Sequence, residues 1–390
     1  MLPTLSSDLK RHCEQVVVAV QAAIAAAGGW LGFDDYLRIV QYAPGLGYYS
    51  AGSEKFGVAG DFVTSPELSS LFGRCVARQC AEVLQQIGGN VLELGAGSGA
   101  LAASVLGTLH ELKQLPDRYC ILEVSADLRD RQQQRLSSLP AVLRGRLQWL
   151  DALPVVPSAG VLLTNEVADA LPFKRFVIHS GAVFERGVAL SGDGGLIESD
   201  RPADPLLRAE VERVTGWRSG HASGHWPDHY ASELCVMTQP WIRAQAAALA
   251  RGMILLIDYG CSRRDYYHPQ RTSGTLRCHF RHRAHEDALL YPGLQDISAW
   301  VDFTRIAEAA SDANLQVSGY CNQTAFLLAT GIEQDLIATT PPLEHAKLAA
   351  QARVLLLPGE MGENFKAMAL TRDLPRPLRG FAYQDLRGTL

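Results

Sequence analysis

A closely spaced set of glycines carries the clearest chemical signal in this 390-residue chain. The segment reads VLELGAGSGALA, so an apolar run leads into a glycine turn and then into a helix-forming stretch. Gly95, Gly97 and Ala100 fit the GxGxx[GA] pattern of dinucleotide-binding loops. Gly95, Gly97 and Gly99 fit equally well the GxGxG pattern of loops that bind S-adenosylmethionine (SAM). Both patterns predict a nucleoside cofactor at this turn, including Ala96, and the alternative is a turn that only lets strand and helix pack.

The charge of Glu93 favours one of the two cofactors. It lies two residues before the first glycine, where a dinucleotide would bring its pyrophosphate to the start of the helix. A carboxylate there would repel the phosphates, whereas SAM carries a sulfonium and an ammonium that a carboxylate can balance. If the Glu93 side chain faces the loop, the sequence favours SAM over a nicotinamide dinucleotide.

Two acidic residues follow the next apolar runs. Glu123 ends the run YCILEV, where a carboxylate could accept hydrogen bonds from both ribose hydroxyls. Asp151 follows the run LQWL and is a weaker candidate for a position beside the adenine. For both residues the alternative is an exposed acid at a strand end.

The segment NEVADALPF follows the fourth apolar run, where open α/β sheets place their ligand crevice. Asn165, Glu166 and Asp169 gather polar groups at this point. Glu166 and Asp169 are three residues apart, so in a helical turn they would share a face and could together hold a cation. We predict that Asn165 contacts the cofactor and that Glu166 and Asp169 are catalytic, while a helix-capping cluster is the structural alternative.

The elements that must position these residues alternate in the manner of a parallel sheet. Helix-forming stretches separate the first apolar runs, which is typical of βαβ units. Seven runs are interpreted as strands: VLELG (91–95), YCILEV (119–124), LQWL (147–150), GVLLTN (160–165), MILLIDYG (253–260), TAFLLA (324–329) and FKAMAL (365–370). The predicted fold is therefore α/β, with one open Rossmann-like sheet of seven strands.

The intervals between these runs predict the domain organisation. A gap of nearly ninety residues before the fifth run is too long for a loop. We predict a helical and loop extension over 1–85, a core made of 86–172 and 251–375, and an inserted α+β subdomain on the substrate side over 173–250.

Composition excludes several classes of partner. The net charge is −5 and the basic residues are spread along the chain, which argues against a nucleic-acid partner. No run approaches the roughly 20 apolar residues that a membrane span needs. The eight cysteines form no CxxC pair, which predicts reduced thiols in a cytosol-like compartment.

The segment CHFRHRAH (278–285) has the residue types of a metal site without the spacing. It offers no second ligand pair, and the interleaved arginines disfavour a divalent ion, so we predict no metal. The alternatives are a solvated basic loop and a polar clamp that docks an anionic group of the acceptor. If the segment is a polar clamp, the predicted substrate loop consists of Arg271, Arg277, His279, Arg281 and His282.

Several longer motifs occur in order between about residues 36 and 370. They are YAPGLGYYS, GDFVTSPELSSLFG, VLELGAGSGALA, ILEVSADL, NEVADALPF, IDYG, MGENFKAM and the long stretch from YYHPQRTSGTLRCHFRHRAHEDALLYP to DISAWVDFT. Together they resemble the MidA family of SAM-dependent methyltransferases. The long late motif is much more specific than the glycine pattern.

The resemblance implies a fold and an activity. The fold would be the class I methyltransferase sheet, parallel except for one reversed strand near the end, and the cofactor would be SAM. Mitochondrial relatives are protein arginine methyltransferases that act in respiratory complex I assembly. The expected function is therefore methyl transfer to a protein acceptor, at arginine. A small-molecule methyltransferase and an assembly factor that binds SAM without turnover remain open.

The resemblance also implies further site residues. Asp61 and Thr64, in GDFVTSPE, would lie near the methionine end of the cofactor or the acceptor, and Glu233, in HYASELC, would be a third acceptor-side carboxylate. By analogy the acceptor would be a complex I subunit, and a homodimer is compatible with the sequence. The chain shows no Arg-rich, acid-poor leader, which favours a bacterial cytoplasm, whereas the eukaryotic relatives are mitochondrial.

Overall fold

The computed structural model describes residues 5–51, 64–217, 226–339 and 341–390. In chain order, its strands are β1 (Trp30–Gly32), β2 (Asn90–Leu94), β3 (Tyr119–Leu122), β4 (Leu147–Leu150), β5 (Ser158–Asn165), β6 (Lys174–His179), β7 (Ala182–Leu190), β8 (Leu196–Pro202), β9 (Tyr230–Leu234), β10 (Leu249–Cys261), β11 (Arg277–Phe280), β12 (Arg283–His285), β13 (Asp296–Ser298), β14 (Val301–Asp302), β15 (Gln316–Asn322) and β16 (Phe365–Arg372). Asp61, one of the predicted cofactor ligands, lies outside the described residues.

The helices alternate with these strands along the chain. They are α1 (Ser7–Ala26), α2 (Phe33–Tyr42), α3 (Ser65–Leu68), α4 (Ser70–Ile87), α5 (Ala100–Glu111), α6 (Ala126–Leu136), α7 (Ala141–Arg144), α8 (Pro205–Thr215), α9 (Thr238–Ala248), α10 (Arg263–Tyr266), α11 (Phe303–Asp312), α12 (Gln323–Ala329), α13 (Ile332–Ala338), α14 (Pro342–Leu356) and α15 (Met361–Asn364), with short 3-10 helices at Arg379–Phe381 and Arg387–Thr389. Across the described ranges, no helix combines the length and the apolar character needed to cross a membrane.

The large sheet has the strand order β15-β16-β10-β5-β2-β3-β4, and the two-residue strand β14 pairs with β10. Neighbouring strands from β4 to β10 run parallel. β16 is antiparallel to both β10 and β15, so it is the reversed strand. This topology confirms the predicted class I methyltransferase sheet, with β14 as an addition that the sequence interpretation missed.

One of the seven predicted strands is wrong. TAFLLA lies in helix α12, and the strand is the preceding segment Gln316–Asn322. The Asn322 side chain accepts a hydrogen bond from the Ala325 N–H at 2.8 Å and so caps the helix. A short apolar run fits a buried helix and a buried strand equally well, and here Phe326 and Leu327 are fully buried from a helix.

The central strands are covered on both faces, which explains their continuous apolar sequences. Val91, Val161 and Leu255 point into a core that they share with helices α4 and α5. The alternate residues Leu92 and Ile254 pack with helices α9 and α11 on the other face.

The chain divides into two compact units, each made of three segments. The first, here called the sheet unit, comprises the described residues of Val63–Ala168, Thr238–Cys261 and Val301–Leu390. The second, here called the hairpin unit, comprises those of Met1–Phe62, Asp169–Met237 and Ser262–Trp300.

This division differs from the predicted boundaries at α4, at residues 262–300 and at α9, which the prediction placed in the insertion but which belongs to the sheet unit. Helix α4 belongs to the sheet unit, because Phe72 and Cys75 are buried in the same core as β2. Residues 262–300 belong to the hairpin unit and not to the methyltransferase core, because Cys278 and Ile297 pack with Val16 of α1. Apolar runs along the chain could not reveal these packing partners.

The hairpin unit contains two small antiparallel sheets. One has the order β1-β7-β6-β9 with β8 on the other edge of β7, and the second has the order β12-β11-β13. Val16, Val20 and Ile24 of α1 form the apolar face that packs into the core of this unit. These residues recur at four-residue steps, as the amphipathic-helix interpretation requires.

Candidate active site

The glycine loop connects β2 to α5 with a backbone that favours glycine. The φ angles are 64° at Gly95, 53° at Gly97 and 83° at Gly99, all in the left-handed region. A Cβ atom on Gly95 would lie 3.1 Å from Cγ2 of Val167, so space as well as backbone angle restricts this position. Gly99 is the N-cap of α5, whose first turn presents backbone N–H groups at the loop.

Glu93 is buried in the sheet just before the loop. Its Oε2 accepts the Tyr119 hydroxyl at 2.6 Å. Burial raises the pKa of Glu93 to about 7, with the Glu123 charge adding to the increase and the Tyr119 hydrogen bond opposing it. Near neutral pH the carboxyl group is therefore divided between its charged and neutral forms, and a nearby cation would favour the charged form.

Glu123 follows β3 and is held on both oxygens. Its Oε1 accepts the Ser125 N–H at 3.0 Å, and its Oε2 accepts the Gln132 amide at 2.9 Å. The neighbouring apolar residue Val124 leaves 81% of its surface exposed. The sequence interpretation found Glu123 but neither Gln132 nor Val124, because no pattern in the segment singles them out.

Asp151 does not join this group. Its side chain is 91% exposed and pairs with Arg129 at 2.8 Å. The same arginine donates to the Leu150 carbonyl at 2.8 Å. The structure therefore places Asp151 in a surface ion pair after β4.

The segment after β5 is a bend and not the predicted helical turn. Glu166 has a φ of 53°, and its N–H donates to the Ile257 carbonyl at 2.9 Å. The next two amides, of Val167 and Ala168, donate to Oδ2 of Asp258 at 3.2 and 3.0 Å. Because a φ of 53° lies outside the right-handed helical region, Glu166 cannot be part of a helical turn. Asp258 lies in the motif IDYG, which the sequence interpretation noted without assigning it a role.

The Glu166 carboxylate is oriented by two donors. Oε1 accepts the Asn165 side-chain amide at 3.0 Å and the Ser65 N–H at 3.2 Å. The other polar atom of that amide, Oδ1 of Asn165, is buried and has no donor among the described residues. A buried acceptor without a donor fits an ammonium group, such as the one on the methionine part of SAM.

The predicted segment GDFVTSPE is described from Thr64 onward. Thr64 is the N-cap of α3, and the next residue provides the N–H that binds Glu166. Glu67 of α3 accepts the hydroxyl of Ser98 in the glycine loop and the guanidinium of Arg135 at 3.1 Å. The structure thus brings α3, the glycine loop and Glu166 together.

The two remaining predicted carboxylates belong to the hairpin unit. Asp169 is 7% exposed, and its carbonyl accepts the Ala299 N–H at 3.3 Å. Glu233 is 1% exposed, and its Oε2 accepts both the N–H and the hydroxyl of Thr275, at 2.8 and 2.9 Å. Glu233 is therefore a buried and firmly held acid that fixes the chain at Thr275.

A second polar group in the hairpin unit was not predicted. The Tyr49 hydroxyl donates to Oδ1 of Asp296 at 2.6 Å, and Nδ1 of His279 lies 3.8 Å from Oδ2 of the same residue. Tyr42 stacks on Tyr49 with 5.5 Å between ring centroids. Burial, followed by the charge of Asp296, raises the pKa of Tyr49. Of these residues, the sequence singled out only His279.

The segment CHFRHRAH forms a β-hairpin. β11 and β12 pair through Phe280 and Arg283, so Arg281 and His282 are the two residues of the turn. Their φ angles are 49° and 59°, which defines a type I′ turn without its usual asparagine and glycine. Cys278 is fully buried, and burial raises its thiol pKa.

The remaining predicted loop residues contact other groups. Arg277 pairs with Glu286 at 2.7 Å, and the Arg271 guanidinium lies 4.6 Å from the centroid of the Trp300 ring. Within the described ranges, no three His, Cys, Asp or Glu side chains are arranged to hold a metal ion.

Comparisons with known proteins agree with this geometry. A family model for S-adenosyl-L-methionine-dependent methyltransferases matches residues 75–321. A crystal structure from Burkholderia thailandensis with bound S-adenosyl-homocysteine is 39% identical, covers 100% of both chains and has a TM-score of 0.94. Protein arginine methyltransferase NDUFAF7, mitochondrial, of Danio rerio is 27% identical over 93% of this chain and 86% of its own length. The Drosophila melanogaster homologue is 28% identical, with 94% and 87% covered.

The family model covers more than half of the chain, and the full-length structural match has the same fold. The match over residues 75–321, the 39% identity and the intact glycine loop show that this chain belongs to the family of SAM-dependent methyltransferases that the MidA resemblance predicted.

Proposed function

We propose that the protein transfers a methyl group from SAM to an arginine side chain of a protein acceptor. The relatives named protein arginine methyltransferase support this acceptor, because they align with nearly the whole chain. The observation that carries the proposal is the conformation of Glu166. A glutamate at a φ of 53° costs free energy that glycine would avoid, so its carboxylate is retained for a purpose.

The sheet unit supplies the cofactor contacts of this proposal. Backbone amides of Gly95–Gly99 contact the cofactor, Glu123 accepts hydrogen bonds from the ribose hydroxyls, and the Asn165 Oδ1 accepts one from the ammonium. Glu93 supplies negative charge behind the loop. Thr64 borders the methionine end, whereas the exposed Asp151 is the weakest of the proposed contacts.

Bound SAM supplies a methyl group on a sulfonium, so the chain mainly has to hold the nucleophile in line with it. The oriented Glu166 carboxylate is suited to bind a guanidinium through charge-assisted hydrogen bonds. There it fixes one nitrogen and offsets the positive charge that develops on transfer. Asp169 is the proposed second carboxylate. Glu233 acts indirectly, by holding the chain at Thr275.

The acceptor protein docks, in this proposal, on the hairpin tip at Arg281 and His282. Both residues occupy strained turn positions, which asparagine and glycine adopt at a lower cost in free energy. We therefore attribute a role to the Arg281 and His282 side chains. Arg281 offers a planar group that binds carboxylates through two hydrogen bonds. By analogy with the mitochondrial relatives, the acceptor is a respiratory complex I subunit, here in a bacterial cytoplasm.

The test is methyl labelling in a lysate from cells that lack this gene. Purified protein and SAM with a radioactive methyl group are added, and labelled proteins are separated and analysed by mass spectrometry. We expect one labelled protein band carrying methylarginine. Glu166→Gln should lower labelling by roughly 30-fold or more and change the SAM dissociation constant by less than about threefold, because a transition-state contact is lost.

Two controls sharpen the result. Glu344→Gln, on the exposed surface of α14, makes the same chemical change away from the site and should label like the wild type. Gly97→Val should remove labelling through loss of SAM binding. Label in metabolites alone would indicate a small-molecule methyltransferase, and SAM binding without any label would indicate an assembly factor without turnover. Either result would contradict the proposal.

A further inference from the structure

Gln132 occupies the centre of the cofactor side of the sheet unit. It projects from α6 and is fully buried. Its Nε2 donates to the Gly97 carbonyl at 2.9 Å and to Oε2 of Glu123 at 2.9 Å. Its Oε1 accepts the indole N–H of Trp149 at 3.0 Å. One side chain therefore joins the glycine loop, the acid after β3 and strand β4.

These contacts fix the orientation of the Gln132 amide. An indole N–H can only donate, and a carbonyl or carboxylate oxygen can only accept. The Gln132 carbonyl must then face Trp149, and its two N–H groups must face Gly97 and Glu123. The reversed amide would place donor against donor in a buried site, which is costly.

The neutral charge of Gln132 is important for its contact with Glu123. A hydrogen bond from a neutral amide to a carboxylate is strengthened by the acceptor charge, yet it leaves that charge in place. A lysine or arginine at this position would neutralise Glu123, and a glutamate would repel it. Glutamine holds the carboxylate in position and preserves its capacity to accept hydrogen bonds from a ligand.

We propose that Gln132 is a positioning residue that sets the distance between the glycine loop and Glu123, and thereby the recognition of the ribose of SAM. The inference rests on the proposed role of Glu123 as the ribose ligand. Gln132 itself acts through its partners.

The test compares the binding of two ligands that differ by one hydroxyl, S-adenosylhomocysteine and its 2′-deoxy analogue, by calorimetry. The wild type should bind the deoxy analogue roughly tenfold or more weakly, because a buried carboxylate loses a donor. Gln132→Met has a similar volume without the hydrogen bonds. It should weaken S-adenosylhomocysteine binding by roughly tenfold and reduce the discrimination between the two ligands to about threefold or less.

Two further variants keep the test decisive. Trp149→Phe leaves Gln132 in place and removes the indole donor together with part of the ring, so it should shift discrimination in the same direction by a smaller factor. Gln133→Met, the exposed neighbour on the same helix, should behave as the wild type. Thermal midpoints of all variants report any general loss of structure.

The outcomes separate this inference from the proposed role of Glu123. If the wild type discriminates and both Gln132→Met and Trp149→Phe discriminate equally well, Gln132 does not position the ribose ligand. If the wild type binds both ligands equally, the ribose role of Glu123 fails, and the inference fails with it. Reduced discrimination in both variants, with Gln133→Met unchanged, supports the inference.

Discussion

Left-handed backbone occurs in both units, but different residue types occupy it. In the sheet unit, the cofactor loop uses Gly95, Gly97 and Gly99, which adopt positive φ angles at little cost. In the hairpin unit, the type I′ turn uses Arg281 and His282, each at a cost of about 1 kcal/mol or more. The glycine loop therefore adopts left-handed backbone with little loss of stability, whereas the turn adopts it at the expense of stability.

The contrast depends on the type of residue and not on the unit to which it belongs, as Glu166 shows. Glu166 lies in the sheet unit, but like the turn residues it combines a positive φ with a long polar side chain. Where a cofactor is bound by backbone N–H groups, glycine suffices. Where a partner is bound by a side chain, the strain is tolerated.

The largest effect is expected from placing a side chain in the glycine loop. Gly97→Val puts a β-branched residue at a φ of 53° and should weaken SAM binding by roughly 100-fold or more. Gly107→Ala is the matched control within α5, since a Cβ atom there meets nothing within 4 Å. It should stabilise the protein by about 0.5 to 1 kcal/mol and leave SAM affinity unchanged. The SAM affinities measured by calorimetry and the thermal unfolding midpoints of both variants test these predictions.

Buried charge extends the comparison between the units. Glu93 has a neutral partner, Tyr119, whereas the equally buried Glu185 of the hairpin unit binds Lys174 at 2.7 Å and Arg201 at 3.0 Å. Burial raises the pKa of Glu93, whereas two cations compensate the charge of Glu185.

Glu93 should therefore give the protein a specific pH dependence. Its folded pKa of about 7 lies above its ordinary value of 4.5, so between these pH values the folded state binds more protons than the unfolded state. The contribution of Glu93 to the free energy of unfolding is fully present below about pH 4.5. As the pH rises to 7, the protein loses up to about 3 kcal/mol of this contribution.

Glu93→Gln should remove this loss, and the measurement is the unfolding midpoint in urea between pH 5 and 8. Relative to the variant, the wild type should become less stable as the pH rises. Glu185→Gln should instead lower stability at neutral pH, because Lys174 and Arg201 each lose a charged partner. Parallel pH profiles for the wild type and Glu93→Gln would contradict the assignment.

The smallest effect is expected in the turn of the hairpin. Replacing Arg281 and His282 by Asn and Gly should stabilise the hairpin by about 1 to 2 kcal/mol, because these residues suit a type I′ turn. Amide hydrogen exchange in Arg277–His285 should slow by roughly tenfold. Acceptor labelling should fall with SAM affinity unchanged. Unchanged labelling would show that the turn residues do not dock the acceptor.

The sequence located the glycine loop and Glu123 at the ends of strands, for physical reasons. The glycine loop and Glu123 follow strands at fixed distances along the chain, so periodicity and spacing were sufficient to locate them. Asp258 and Gln132 could not be found in this way. Their partners lie about 90 and 35 residues away, and only the pairing of the strands brings them together.

Local signals also misled the interpretation in specific places. In a helical turn Glu166 and Asp169 would share a face, but the positive φ of Glu166 excludes such a turn. No asparagine or glycine marked the turn at Arg281, so the hairpin was interpreted as an irregular loop. In both cases the backbone conformation differs from the one that the local sequence favours.

The position of β16 has a consequence for synthesis of the chain. β16 is formed by Phe365–Arg372 and lies between β10 and β15 in the sheet. While the ribosome is still translating, the apolar strand β10 therefore has an open edge until residues 365–372 have emerged. The growing chain must keep that edge from pairing with other nascent chains. A message truncated before residue 365 would therefore leave an aggregation-prone edge on β10 instead of a smaller enzyme.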